Sequence, residues 1–365
     1  MKSALRCAML LAVTLFLLSP VAKSDGDKGG SILGQLPTSP QRIVPTVPAN
    51  GDVNPYGTAF VPEGFREGGP LEAGDILVSN FNNSQNQQGT GTTIVRITPT
   101  GQFSVFFQGQ QGLGLTTALG VLRRGFVLVG NLPTVNTPTS TTVQQGSLLV
   151  LNRSGAMVAN LSNASLLDGP WDLAINDEES RAQVFVSNVL TGTVTRLDVS
   201  MNGEGDQFKV HSFTQIASGY THGFDPAALV IGPTGLAYDR KTDTLYVAST
   251  GDNKIFSIAG ARTTHQDGGQ GKVTYQDDTH LHGPLGLVLA PNGNLITANG
   301  DAVNAGGTQN DLVEFTRGGI FVADFQVDPG ASGGAFGLGI ARAGDAIRFA
   351  AVDDVQNTLK IWNVR

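Results

Sequence analysis

The chain has 365 residues, a formal net charge of −7, 48 glycines and only 15% charged residues, where ordinary domains carry about 25%. A nucleic-acid binder needs a basic face, so this acidic balance argues against that class of partner. The single cysteine, Cys7, rules out an internal disulfide framework, and a chain this long can be held by its core without one.

The first element is a targeting segment. Lys2 and Arg6 open it, Ala8 to Leu18 form an eleven-residue apolar run, and Ala22-Lys23-Ser24 fits a small-x-small cleavage site. The run is shorter than the roughly 20 residues that span a bilayer, and no later stretch is longer. Residues 1–24 therefore read as a signal peptide, and the mature protein is expected to be secreted or periplasmic with no membrane span. Without Lys2, Arg6 and Lys23, 20 basic residues face 30 acidic ones, a net charge of −10. Residues 25–40 are read as a flexible leader, and 41–365 as one domain.

That single domain is built from an internal repeat. The short strands GTAF (57–60), ALGV (118–121), DLAI (172–175), GLAY (235–238), GLVL (286–289) and GLGI (337–340) recur at intervals of 61, 54, 63, 51 and 51 residues. The second position is leucine in all but the first copy, which has Thr58. The fourth is large and apolar, and the first and third are mostly glycine or alanine. With a side-chain period of two, each strand presents a bulky face and a small one, so radially arranged sheets can interlock. Second, third and fourth strands follow each copy, with repeats beginning near 54, 115, 169, 232, 283 and 334. The sixth copy ends at Arg365 without a fourth strand, and QRIVPTV (41–47) is available to supply it. These features predict an all-β, six-bladed β-propeller with four antiparallel strands per blade, its last blade closed by an N-terminal strand. A monomer is expected.

The surplus length lies in particular loops: 81–91, 132–146 and 300–310 between second and third strands, and 218–232 leading into blade four. Both kinds of connection open on one rim, and long loops in compact domains are usually functional or disordered. The rim is where a ligand is expected.

Blade four, GPTGLAYD then LYVAS then GDNKIFSI, resembles the NHL repeat, and GPLGLVLAPNGNLITANG in blade five matches it less fully. The resemblance spans roughly 41–365 and implies a propeller of the gluconolactonase/TolB-like superfamily, a fold that hosts hydrolases, lyases and pure binding platforms. The gluconolactonase-like and paraoxonase-like members hold a central metal with Asn, Asp and Glu, some placed just before the first-strand Gly-Leu. The corresponding residues here are Tyr56, Thr117, Trp171, Thr234, Leu285 and Phe336. Asp172 is the only acid in the innermost strands, and one carboxylate does not supply the about 6–8 oxygens of a calcium site.

Other candidates divide by whether they recur. Asn80, Asn131, Asn188 and Asn299 each end a second strand, which marks them as architectural, bonding the following turn. GASGG (330–334) matches G-x-S-x-G around Ser332, but that motif needs a strand-to-helix elbow. NGEGD (202–206) is an acidic turn. His222, His280 and His282 fall instead in the lead-in loops of the neighbouring blades four and five. Three imidazoles with an open fourth position make a minimal catalytic zinc site, and Asp225 and Asp301 could orient such rings. Two functions follow. One is an exported binding platform for a small molecule, glycan or protein at the rim. The other is a divalent-metal-dependent hydrolase or lyase using His222, His280 and His282. The absence of a triad, central metal set or phosphate loop favours the first.

Overall fold

The computed structural model describes residues 30–137, 139–202, 207–300, 311–328 and 334–364. Residues 1–24, expected to be a signal peptide, Asp301, Ser332 and residues 203–206 of the acidic turn lie outside them. Among the described residues are six four-stranded antiparallel sheets, each a propeller blade. Blade one runs outward from Val53–Phe60 through Ile76–Asn82 and Thr93–Ile97 to Phe103–Gln108, and blades two to five repeat that order. In blade six, Leu338–Ala343, Ala346–Asp353 and Thr358–Val364 are completed by Arg42–Pro45. The N-terminal strand is antiparallel to Thr358–Val364, with Arg42 opposite Ile361 and Pro45 opposite Thr358. Val44 is buried with Leu359 and Ile361. No helix among the described residues is long and apolar enough to cross a membrane.

The innermost strands begin irregularly. In blades one to five the pairing of first with second strand skips between Pro55 and Thr58, Leu115 and Leu119, Pro170 and Leu173, Pro233 and Leu236, and Pro284 and Leu287. Four of the five skips start at a proline, which has no N–H to give the ladder. The residues released there turn towards the axis. Beyond the skip, neighbouring blades interlock through their small positions: Gly120 lies against Leu173 and Ile175 of blade three, and Gly339 against Phe60 and Thr58 of blade one.

Hydroxyl groups tie one blade to the next. Ser79 Oγ donates to Thr116 O (2.8 Å), Thr116 Oγ1 to Pro170 O (2.8 Å), Ser187 Oγ to Thr234 O (2.7 Å) and Thr234 Oγ1 to Pro284 O (2.9 Å). Asn188, which ends a second strand, reaches across the following turn to the Thr193 and Thr195 hydroxyls (3.1 and 3.2 Å), but two of its counterparts do a different job from the one expected. Asn131 accepts the Gly114 amide and gives its own N–H to Ser147 Oγ, while Asn299 accepts the His282 amide and donates to His280 O. They tie the blade's lead-in segment to its second strand, because that segment passes closer than the following turn. Ser249 and Asp353 occupy the same place in blades four and six, and these do serve the following turn, through Asp252 and the Gln356 amide.

The leader is docked from Ser31 to Leu36. Ile32, Leu33 and Leu36 are buried against Leu312, Phe349 and Trp362 of blades five and six. The Glu314 carboxylate receives Ser31 Oγ (2.7 Å), the Ile32 and Leu33 amides (3.1 and 2.8 Å), and the side-chain amides of Asn292 and Asn294 (3.0 and 2.8 Å). Burial opposes ionisation of this group, yet the hydrogen bonds hold its pKa below the ordinary carboxylate range.

Two outcomes follow from this architecture. A chain truncated through Pro45 should be less stable than one beginning at Pro40 by several kcal/mol, since a ladder and its burial go together; denaturant melts of the two compare them directly. Glu314→Gln should release the leader at a cost of about 1–3 kcal/mol, because an amide cannot accept all of these bonds. Faster amide exchange at Ile32 and Leu33 would report it. Because the folded pKa is depressed, wild type should lose the same contact as pH falls below the ordinary glutamate range.

Candidate functional site

The axis of the ring is closed near the loop-rich rim by aromatic side chains. Tyr56 stacks between Phe81 (centroids 4.7 Å) and Phe336 (4.6 Å), and Trp171 meets Tyr56 and Phe81 edge-on at 5.8 and 5.5 Å. Leu132, Val189 and Val230 complete the cluster, with Leu285 packed against it. Tyr56, Trp171 and Leu285 come from the stretches released by the skips in pairing, and Phe336 from just before Leu338–Ala343. The resemblance to lactonase-like propellers implies some metal-binding oxygens just before the first strands; Tyr56, Trp171, Leu285 and Phe336 stand there instead, packed in one cluster.

The plug divides the axis into two cavities. The upper one, of about 140 Å³, opens on the rim; Tyr56, Trp171, Leu285 and Phe336 form its floor, and Asn54, Gln88, Thr250 and Asp354 stand in its wall. Two hairpins rise from the same rim: Thr134–Thr137 with Ser140–Val143, and Gly223–Asp225 with Leu229–Ile231. Their apolar residues Val135 and Phe224 are 52% and 62% exposed, and Val355, in blade six's turn between second and third strands, is 54% exposed. Three loops from three blades thus hold apolar groups in solvent on the face that carries the cavity.

The lower cavity, of about 360 Å³, lies between the inner strands below the plug and reaches the opposite end of the ring past Phe60, Ile175, Tyr238, Leu289 and Ile340. Asp172 is set in its wall. One carboxylate oxygen accepts the Leu236 amide of blade four (3.0 Å) and the other its neighbour's amide, Leu173 (2.8 Å). Burial pushes its pKa up to about 8, against the smaller downward pull of these two amides.

The rim histidines each have a local partner. His222 Nδ1 lies 2.8 Å from Tyr220 O. His280 Nδ1 is 2.6 Å from Asp277 Oδ2, and its ring stacks on Phe321 of blade five's outermost strand at 3.9 Å. His282 Nε2 is 3.2 Å from Thr279 O. Asp225 caps its own hairpin, accepting the Ala227 and Ala228 amides, both at 2.8 Å. Among the described residues no group of three or more His, Cys, Asp or Glu side chains is placed to hold a metal ion. Burial works against ionisation of Asp277, but His280, the Thr279 amide and the Tyr275 hydroxyl bring its pKa down to about 2.

No family model matches the chain, and no curated protein matches its sequence. Solved structures do resemble it. The major allergen Mala s 1 of Malassezia sympodialis aligns over 90% of this chain and 95% of its own, with a TM-score of 0.57 and 12% identity. Regucalcin from Agrobacterium tumefaciens, a calcium-binding protein, aligns over 88% and 92%, with a TM-score of 0.52 and 12% identity. A chain of the nidogen/laminin complex aligns over 80% and 86%, with a TM-score of 0.50 and 12% identity. What these share with the chain is the propeller. Sequence patterning locates the plug positions but not their convergence, and nothing in it singles out Val135, Phe224 or Val355 as exposed.

The Asp172 environment sets a pH dependence. The folded state keeps this proton up to about pH 8, while the unfolded carboxyl loses it near 3.8, so stability should fall as pH rises across that window. Asp172→Asn should remove that slope, its stability relative to wild type improving by several kcal/mol, to order of magnitude, between the two limits. Denaturant melts at a series of pH values would show it; parallel profiles for the two proteins would contradict it.

Proposed function

We propose that the chain is an exported binding platform that takes its ligand on the loop-rich rim, in the cavity above Tyr56, Trp171 and Phe336. The observation that carries this reading is the aromatic floor bounded by amide, hydroxyl and carboxylate groups, with Val135, Phe224 and Val355 held in solvent on the same face. Aromatic edges with a few polar groups at their border are a common make-up of small-ligand sites. The floor is also held firmly in place. Tyr56 is sandwiched between two rings, so little side-chain freedom remains to be lost on binding. The group recognised is a single ring with an apolar face and a polar edge, the chemistry of a sugar unit. The apolar loop tips would then contact what that unit is attached to. Export rests on the basic start and apolar run of residues 1–24, and on a mature sequence free of cysteine.

Trp171 provides the test. The only other tryptophan, Trp362, is buried in a separate cluster with the leader. Titration with a panel of mono- and disaccharides should change Trp171 emission for at least one member. Trp171→Leu should weaken binding of that sugar about tenfold, corresponding to loss of ~1–2 kcal/mol of aromatic contact. A panel without response, or a variant that binds equally well by calorimetry, would overturn the reading.

A further inference from the structure

We propose that the tunnel beneath the plug binds a small amphiphilic ammonium ion, its charged head on the Asp172 carboxylate and its apolar body between Phe60, Ile175, Leu289 and Ile340. The first support is the departure from the repeat. The column of Asp172 holds Gly57, Ala118, Gly235, Gly286 and Gly337 in the other blades, so ring assembly does not require a carboxyl there. The second is its isolation. Among the described residues Asp172 is the only Asp, Glu, Lys, Arg or His on the tunnel wall, and the one other titratable wall group, Tyr238, gives its hydroxyl to Asp243 at 2.9 Å. The third is capacity. Each carboxylate oxygen accepts a single backbone N–H, whereas a carboxylate offers about four lone-pair sites.

The remaining wall matches the rest of such a ligand. The tunnel holds about 360 Å³, within the range of small-molecule sites, and the side chains of Phe60, Ile175, Leu289 and Ile340 flank its far end. A hydrophobic body gains by burial there, while the ammonium supplies the counter-charge that the protein does not. Burial keeps Asp172 protonated up to about pH 8; as the ion pair forms, the carboxyl releases that proton to solvent. Access is from the end opposite the long loops, because the aromatic cluster closes the other. The site therefore stands independently of ligand binding at the rim.

Calorimetric titration with hexylammonium chloride, hexanol and sodium hexanoate separates the alternatives. Hexylammonium should bind, hexanol about tenfold or more weakly for want of the ion pair, and hexanoate not measurably. Asp172→Asn should bring hexylammonium down to the level of hexanol. Should that variant fail to fold, carboxyl-carbon NMR of wild type decides the matter: the Asp172 titration midpoint should move to lower pH when hexylammonium is added. Equal binding of ammonium and alcohol, undiminished binding by the variant, or an unmoved midpoint would each overturn the proposal.

Discussion

The fold depends on how closely the innermost strands approach one another around the axis. A Cβ added to Gly235 would overlap the Leu285 carbonyl oxygen, and one added to Gly337 would overlap that of Tyr56. This contact favours small residues in one column, where Asp172 of blade three is the exception, and it brings Ser and Thr hydroxyls within reach of the next blade's carbonyls. The plug has a second origin: in blades one to five the pairing of first with second strand skips, four times at a proline, and the side chains released there project inwards. Whatever occupies those positions decides the chemistry of the axis. Oxygen ligands there would gather a cation; Tyr56, Trp171, Leu285 and Phe336 gather each other.

Those contacts also determine what could be read from the sequence. The blade count, strand order and N-terminal closure are legible because each follows from a repeated steric demand, or from an edge that must be covered. The small column shows as Gly or Ala, and the missing sixth fourth-strand shows as a gap. The leader is less legible: SILGQL is a short apolar string among glycines, and its anchor, Glu314, sits 281 or more residues away in the middle of an otherwise apolar strand. The rim is least legible. The loop positions of His222, His280 and His282 follow from the repeat, but where each ring points is set by neighbours such as Phe321 and Tyr220, which belong to no repeated column.

Asp172 stands out when set beside several other buried carboxylates. Asp75 is paired with Arg96, Asp353 with Lys360, and Asp239 with Arg317. Asp52 accepts from the Thr92 amide and the Thr92 and Thr93 hydroxyls, and Glu314 is fully engaged with the leader. Each of these joins two segments and has a cation or several donors to offset its burial. Asp172 also joins two blades, through the Leu236 amide, but with two neutral donors only. That is too little to keep a charge so deeply buried, and burial raises its pKa accordingly. A hydroxyl would clasp the neighbouring blade as well, as Ser79, Thr116 and Thr234 do elsewhere in the ring.

The plug gives this contrast its consequence. Because Tyr56 is held on both faces by other rings, the partition across the axis is a packed wall with few alternative arrangements. A group resting on its upper side meets amides, hydroxyls, the Asp354 side chain and aromatic edges. A group beneath it meets one buried carboxyl, Asp172, among inner-strand backbone and side chains. The two environments therefore differ in chemistry. Nothing in their separation requires that occupancy of one be felt by the other, since coupling needs an element with two arrangements and the wall between them offers none.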